Sequence, residues 1–444
     1  MGLPEKIYEA GVVGAGGAGF PTHKKLSGAF DTIMVNAAEC EPLLVSDRYV
    51  MRNFAREITE ALLALKRETG AKRIVVGTKK KYGREIAALK KSFGEAGEAA
   101  KGFEIFEFSS FYPAGDEQVM IYEITGRSVP PGGIPLALGI VVLNVATLLN
   151  IYDALRGEPV TDKFVTVTGA VNRPVILKVP VGTSFIDCIA GAGGTTIDDW
   201  MIIRGGPMMG RQFDMKDVHS LSINKADGGL IVLPANHPLP AFSRKPLKRM
   251  INEAKSVCIQ CSYCTELCPR YLIGHKIRPH RVMRSIATGT NRNDLTDALL
   301  CCECGICELF SCPMMLSPRR VNIHVKQILR ANGATISDTS IHTEYLRARE
   351  YRRIAQKRFI SRLELGKYDV HIDEAAAYRP KSVSIPLKHG VGRPSEPTVA
   401  VGDRVRRGDV VASAPFEDAG CVVHASIDGV VTGVDGRIDI TGEE

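Results

Sequence analysis

The chain has no window of 18 uninterrupted apolar residues. The nearest, Leu136–Leu143 running on to Leu148 and Leu149, is broken by Gly139 and Asn144. A membrane-spanning helix needs about 20 such residues, so no membrane insertion is expected. Met1–Glu9 has no apolar run and carries Glu5, Lys6 and Glu9, so no secretory signal is expected and the protein is placed in the cytoplasm. Charge of one sign is scarce too. Against 49 Asp and Glu stand 57 Lys and Arg, and a balance of +8 over 444 residues falls short of a nucleic-acid-binding domain. The one local excess is Tyr345–Arg362, with Arg347, Arg349, Arg352, Arg353, Lys357, Arg358 and Arg362 against Glu350. It reads as a solvated helix face, the alternative being a docking face for an acidic partner. Twelve cysteines are too few for a disulfide scaffold.

What is present is a globular composition, 45% hydrophobic and 24% charged, in a chain long enough for roughly three domains. The cysteines are concentrated: nine of the twelve lie between Cys258 and Cys312. One run is Cys258-x2-Cys261-x2-Cys264-x3-Cys268-Pro269, the other Cys301-x2-Cys304-x2-Cys307-x4-Cys312-Pro313. In a cytosolic chain, ligation is the default use of such runs. Zinc would be served by two CxxC pairs. Here three thiols at a spacing of three are followed by a fourth before proline, the pattern of two-cluster ferredoxins, whose fourth cysteine ligates the neighbouring cluster. The spacing therefore assigns Cys258, Cys261, Cys264 and Cys312 to one [4Fe–4S] cluster and Cys301, Cys304, Cys307 and Cys268 to the other. Cys302 falls outside both sets and reads as a packed or hydrogen-bonding thiol.

Gly14-Ala15-Gly16-Gly17-Ala18-Gly19 contains GxGxxG, but a dinucleotide fingerprint needs a strand before it and a helix through its last glycine. Glu5–Ala10 reads as helical and Pro21 follows at once, so the fingerprint fails. A glycine loop with free backbone N–H groups remains, able to approach an anion or a flat ring, and Lys25 follows at a distance suited to a phosphate. A strand Thr32–Val35 then ends in Asn36-Ala37-Ala38-Glu39-Cys40-Glu41-Pro42, and polar groups at the carboxyl end of a strand are where α/β units bind ligands. Tyr112-Pro113-Ala114-Gly115-Asp116-Glu117 and Asn144-Val145-Ala146-Thr147 complete the series.

GxGGAGFPT, NAAECEP, YPAGDE and NVxT, in this order, resemble the flavin-bearing, NADH-oxidising subunit of respiratory complex I. They are more similar still to the RnfC proteins of Rnf complexes and to the PduS-type cobalamin reductases of propanediol-utilisation microcompartments. The resemblance implies that this domain binds FMN and takes hydride from NADH. Gly14, Gly16, Gly17 and Lys25 would cradle the phosphate and ring, Asn36, Glu39, Gly115, Glu117, Asn144 and Thr147 would complete the flavin and ribityl contacts, and Phe20 would stack on the nicotinamide. Ala38 and Cys40 stand where complex I has an acidic residue and a serine. His23, beside the loop, is expected to be ordinary surface.

Farther on, Phe164–Gly169 and Pro174–Val179, a helix near Phe185–Ala190 and Met201–Arg204 read as a β-grasp module, similar to the ligand-binding β-grasp (SLBB-like) domain of the same family. Met208 and Met209 are expected to pack a core. In the tail, GDxVxxGD (Gly402–Asp409) and HASxxGxV (His424–Val431) look like a lipoyl-type barrel-sandwich fold without a carrier lysine at its tip, hence a packing or docking module. The expected architecture is multidomain α/β and α+β. It comprises a complex-I-type FMN domain (1–158), a β-grasp module (159–245), a two-cluster ferredoxin-like helical domain (246–335), a basic helical linker (336–380) and a C-terminal barrel-sandwich hybrid (381–444). The barrel-sandwich module closes the chain, an order that favours the PduS-type branch.

The expected function is a soluble NADH:acceptor oxidoreductase passing electrons from FMN through two [4Fe–4S] clusters, with no side-chain acid or base required. A corrinoid, cob(II)alamin reduced for an adenosyltransferase, is the first candidate acceptor. The alternative is an RnfC-like NADH-dehydrogenase component of a larger cytosolic complex feeding a partner reductase, such as a methylenetetrahydrofolate reductase or a selenoenzyme. The protein is expected in the cytoplasm or a microcompartment lumen, as an oligomer or part of a complex. Residues 213–245 and 336–380 match no chemistry and are where such a partner would dock. A scaffold with structural clusters predicts no flavin, and a nucleic-acid-binding iron–sulfur protein predicts salt-sensitive duplex binding. Both conflict with the flavin motifs.

Overall fold

A computed structural model describes residues 2–442. Strands β1 (Thr32–Ala37), β2 (Arg73–Lys79), β3 (Phe103–Phe108) and β4 (Ile140–Asn144) form a parallel sheet in the order β3-β2-β1-β4. Its central strands are buried along most of their length and carry apolar runs, Ile33–Val35 and Ile74–Val76, because both faces are covered. Alternate side chains of β1 face opposite ways: Ile33, Val35 and Ala37 pack with helices Ala55–Thr69 and Val145–Leu155, while Met34 packs with Val119, Met120 and Ile121 of helix Glu117–Thr125. Gly70, at φ +70°, closes the Ala55–Thr69 helix in the left-handed conformation that only glycine takes freely. The glycine loop is preceded by helix Leu3–Glu9 rather than by a strand, and is followed by one turn of helix, Thr22–Lys25.

The second sheet is larger than the sequence suggests. β5 (Asp162–Gly169), β6 (Val175–Pro180), β7 (Trp200–Arg204), β8 (Arg211–Asp214), β9 (Gly229–Pro234) and β10 (Ala375–Ala377) run in the order β10-β6-β5-β9-β7-β8. β9 lies in the middle, parallel to β5 and antiparallel to β7. Residues 213–245 and 336–380 therefore have a structural part, since they supply a central and an edge strand. The basic segment is not a solvated helix either. It breaks into short turns of helix around a two-residue strand, Ile354–Ala355, which pairs with Phe111–Tyr112. Arg349 is buried against Glu123, and Arg353 and Arg352 pair with Glu123 and Glu266, so the cationic run fastens the linker to the domains it crosses.

Helices Leu247–Val257, Pro279–Thr288 and Pro318–Ala331 enclose a small core with Cys312 and frame the cysteine loops. The tail folds as two facing sheets of four and three strands whose core takes in Val13 from the glycine loop. The Val391 N–H donates to the Ala18 carbonyl at 2.9 Å, and buried Lys225 donates to the carbonyls of Gly11 (2.8 Å) and Val422 (2.9 Å). Gly19 has φ +65°, and a Cβ there would collide with the His389 carbonyl. We expect Gly19→Ala to cost at least about 1–2 kcal/mol in backbone strain alone. Limited proteolysis should then release the tail, leaving the rest of the chain folded.

Candidate functional site

Asn36 and Asn144 are register partners at the carboxyl ends of β1 and β4. This places NAAECEP beside NVxT and makes the end of the sheet a meeting point for the loops. The Ala15 N–H donates to Thr147 Oγ1 at 2.9 Å, and a Cβ on Gly16 would lie 3.1 Å from the Asn144 side chain. Gly17 is at φ +110° with open space where a side chain would be. Gly14 closes the loop, its N–H donating to the Phe20 carbonyl at 2.8 Å, and Phe20 itself is exposed at the rim. Across the cleft, Asn36 Nδ2 donates to the Gly115 carbonyl (2.7 Å), the Gly115 N–H to Cys40 Sγ (2.7 Å) and Lys25 Nζ to Glu117 Oε1 (2.5 Å). The structure thus gathers Gly14, Gly16, Gly17, Phe20, Lys25, Asn36, Glu39, Gly115, Glu117, Asn144 and Thr147 at one end of one sheet. His23 differs from expectation. It is buried between Tyr8 and Phe416, because the tail module covers the helix that carries it.

These groups suit a flavin mononucleotide. Bare glycine backbone and Lys25 can meet a phosphate, and helix Val145–Leu155, capped by Asn144, points its N-terminus into the cleft. Several residues were not singled out in the sequence. Asp47 accepts from Asn144 Nδ2 at 2.7 Å, and buried Lys163, from the β-grasp module, donates to the Ala15 carbonyl at 3.0 Å. Both also line a cavity of about 340 Å³ that extends to Asp153, Phe164 and Arg407; no glycine-loop residue lines it. Lys79 holds the Glu39 carbonyl (2.6 Å), and Gln356 links Lys79 to the Cys40 carbonyl.

Glu41 accepts from the N–H groups of Met208 (2.8 Å) and Met209 (3.0 Å). Met208 is fully buried, whereas Met209 is exposed, so only the first of the two methionines expected to pack does so. Burial pushes the Glu41 carboxyl up to about 7. Burial and then the neighbouring Asp47 raise Glu39, which is only partly exposed, well above the ordinary range. The folded chain therefore holds protons that the unfolded chain releases above about pH 4.5. The stability they contribute is full below that pH and is lost as pH rises through about 7. In protein freed of flavin, urea midpoints should fall between pH 5 and 7, and Glu41→Gln should flatten that decline.

Cys258, Cys261, Cys264 and Cys312 line one pocket. Cys268 joins Cys301, Cys304 and Cys307 in a second, which Cys302 also touches. In both runs the residues flanking the middle cysteine are left-handed: Gln260 (φ 54°) and Ser262 (φ 63°) around Cys261, Glu303 (φ 62°) and Gly305 (φ 84°) around Cys304. This repeated turn wraps the first three thiols of each run around a common centre. Burial and thiol crowding push Cys264 up to about 12. Such a set ionises only with a strong cation among the sulfurs, and all-thiolate donors suit an iron–sulfur cluster.

The two centres touch. Tyr112, from the flavin-motif loop, donates its hydroxyl to the Cys304 carbonyl at 2.7 Å, and Arg270, two residues after Cys268, pairs with Asp116 at 2.9 Å.

Comparison with known proteins matches four family models along the chain. The Nuo51 FMN-binding domain family matches residues 7–153, the SLBB domain 164–212, the 4Fe-4S dicluster domain 257–317 and the RnfC barrel-sandwich hybrid domain 369–444. The cobalamin reductase PduS of Citrobacter freundii is 40% identical over 97% of this chain and 94% of its own length, and that of Salmonella typhimurium 39% identical over the same shares. The chain belongs to the PduS cobalamin reductase family. It is an oxidoreductase that transfers electrons with FMN and two [4Fe–4S] clusters. A component of the proton-translocating ferredoxin:NAD(+) oxidoreductase complex of Clostridium ljungdahlii is 34% identical over 60% of the chain and 55% of that protein, a more partial likeness than within the PduS family. A crystal structure of an NAD+-reducing [NiFe]-hydrogenase shares the fold, with a TM-score of 0.50, 18% identity, and coverage of 76% of this chain and 68% of that one. Among the described residues no helix is long and apolar enough to cross a membrane.

Proposed function

We propose that this protein is an NADH-dependent corrinoid reductase that delivers electrons one at a time to cob(II)alamin, forming cob(I)alamin for an adenosyltransferase in the cytoplasm or a microcompartment lumen. When bound, FMN supplies the change from hydride to single-electron chemistry, so one NADH serves two corrinoid reductions and leaves NAD+ and a proton. Gly14, Gly16, Gly17 and Lys25 hold its phosphate end. Asn36, Glu39, Gly115, Glu117, Asn144 and Thr147 orient the ring and ribityl chain, and Phe20 receives the nicotinamide. The eight cysteines hold the clusters in the crossed sets that line the two pockets.

The observation that carries this reading is the second thiol set lying against the flavin-motif loop through Tyr112–Cys304 and Asp116–Arg270. It makes that cluster the entry. The first set is then the exit, since Ile259, Tyr263, Met314 and Met315 stand exposed around it and offer an apolar surface to an acceptor. The test is anaerobic: iron, sulfide and flavin content, then an NADH titration, then addition of cob(II)alamin. About eight irons and one FMN, bleached by NADH and reoxidised by the corrinoid, are expected. Eight irons without NADH-reducible flavin would make the chain a relay fed by another protein.

A further inference from the structure

The environments of the two cysteine pockets differ in one respect that the relay alone does not require. The first is lined by His280, Met283 and Leu316 besides its cysteines, with no arginine. Two arginines serve the second. Arg319 lines it directly, and Arg270 lies beside Cys302, which lines it too. Each is tied at one end to the flavin side of the molecule: Arg270 Nη2 donates to Asp116 Oδ2 at 2.9 Å, and Arg319 Nη1 to the Met208 carbonyl at 3.0 Å. Met208 is in turn the residue whose N–H grips Glu41. At the other end, Arg270 reaches the Cys302 thiol, and no nitrogen or oxygen acceptor meets the buried Arg270 Nε and Nη1 or Arg319 Nε.

A buried guanidinium N–H left without an acceptor carries its full desolvation penalty. A thiolate-held cluster is an anion with sulfur acceptors and becomes more negative on reduction, so donors and positive charge beside it favour the reduced form. We propose that Arg270 and Arg319 donate these N–H groups to the sulfurs of the second cluster, fixing it against the flavin loop and raising its reduction potential. They are positioning residues, and the inference rests on the eight cysteines holding two clusters as described above.

The test is an EPR-monitored redox titration of anaerobic holoprotein, comparing wild type with Arg319→Gln, Arg270→Gln and Arg319→Lys. In each Gln variant one of the two cluster midpoints should shift downward while the other stays in place, and Arg319→Lys should recover part of the shift. Unchanged midpoints in iron-replete Gln variants would overturn the proposal, as would equal shifts of both clusters. Should a Gln variant lose iron, wild-type protein labelled with 15N-arginine decides. Pulsed EPR of the reduced protein should show nitrogen coupling to one cluster, and its absence overturns the assignment. Wild type with fewer than two clusters would instead defeat the underlying ligand reading.

Discussion

Cys304→Ala should leave NADH able to bleach the flavin yet unable to reduce the remaining cluster or the acceptor. Cys304 lies in the second thiol set, and its carbonyl receives the Tyr112 hydroxyl from the flavin-motif loop. Loss of this cluster removes the step between flavin and the distal thiols. NADH-driven acceptor reduction should fall by at least about 10²-fold, a barrier increase of roughly 2.7 kcal/mol. Cys261→Ala is the informative partner. It removes the outer cluster, so the inner one should still be reduced by NADH while turnover with the acceptor is lost. Stopped-flow absorbance combined with EPR separates the two variants. Reduction of the outer cluster at the wild-type rate in iron-depleted Cys304→Ala protein would refute the order.

Gly115→Val should empty the flavin site while leaving the clusters loaded. A Cβ at Gly115 would stand 2.8 Å from the Ala38 carbonyl, 3.0 Å from Cys40 Sγ and 3.1 Å from Asn36 Oδ1. None of these is the far end of a long flexible side chain, so the YPAGDE and NAAECEP loops must separate. Flavin affinity should drop by more than about tenfold, or about 1.4 kcal/mol. Gly83→Ala is the control, because nothing lies within 4 Å of its would-be Cβ. Flavin fluorescence on release and iron content measured on the same sample give both numbers. Wild-type flavin occupancy in Gly115→Val would remove Gly115 from the site.

The cysteine runs were legible because ligand spacing is local: three thiols three residues apart turn about a single centre wherever they occur, and the one before proline reaches out of that turn. The flavin loops were legible for a related reason. Strands β1 and β4 are short, mainly apolar runs with an asparagine at or next to their carboxyl ends, and parallel pairing brings those ends together. Harder to see were the residues that matter through distant partners. β9 and β10 complete the β-grasp sheet from 50 and more than 190 residues beyond β6, a separation no periodicity records. Arg349 and Arg353 looked like solvent-facing charge because their partner, Glu123, is more than 220 residues earlier.

By itself, the sequence determined the two cysteine runs, the flavin-family loops and the kind of modules, since these depend on spacing and on residue chemistry. Tertiary structure alone decided which thiol set lies against the flavin-motif loop, why the tail module braces the glycine loop, and which arginines face the thiols. Those outcomes depend on contacts between segments hundreds of residues apart, where burial, charge pairing and unused hydrogen-bond donors are settled only once the chain has closed on itself.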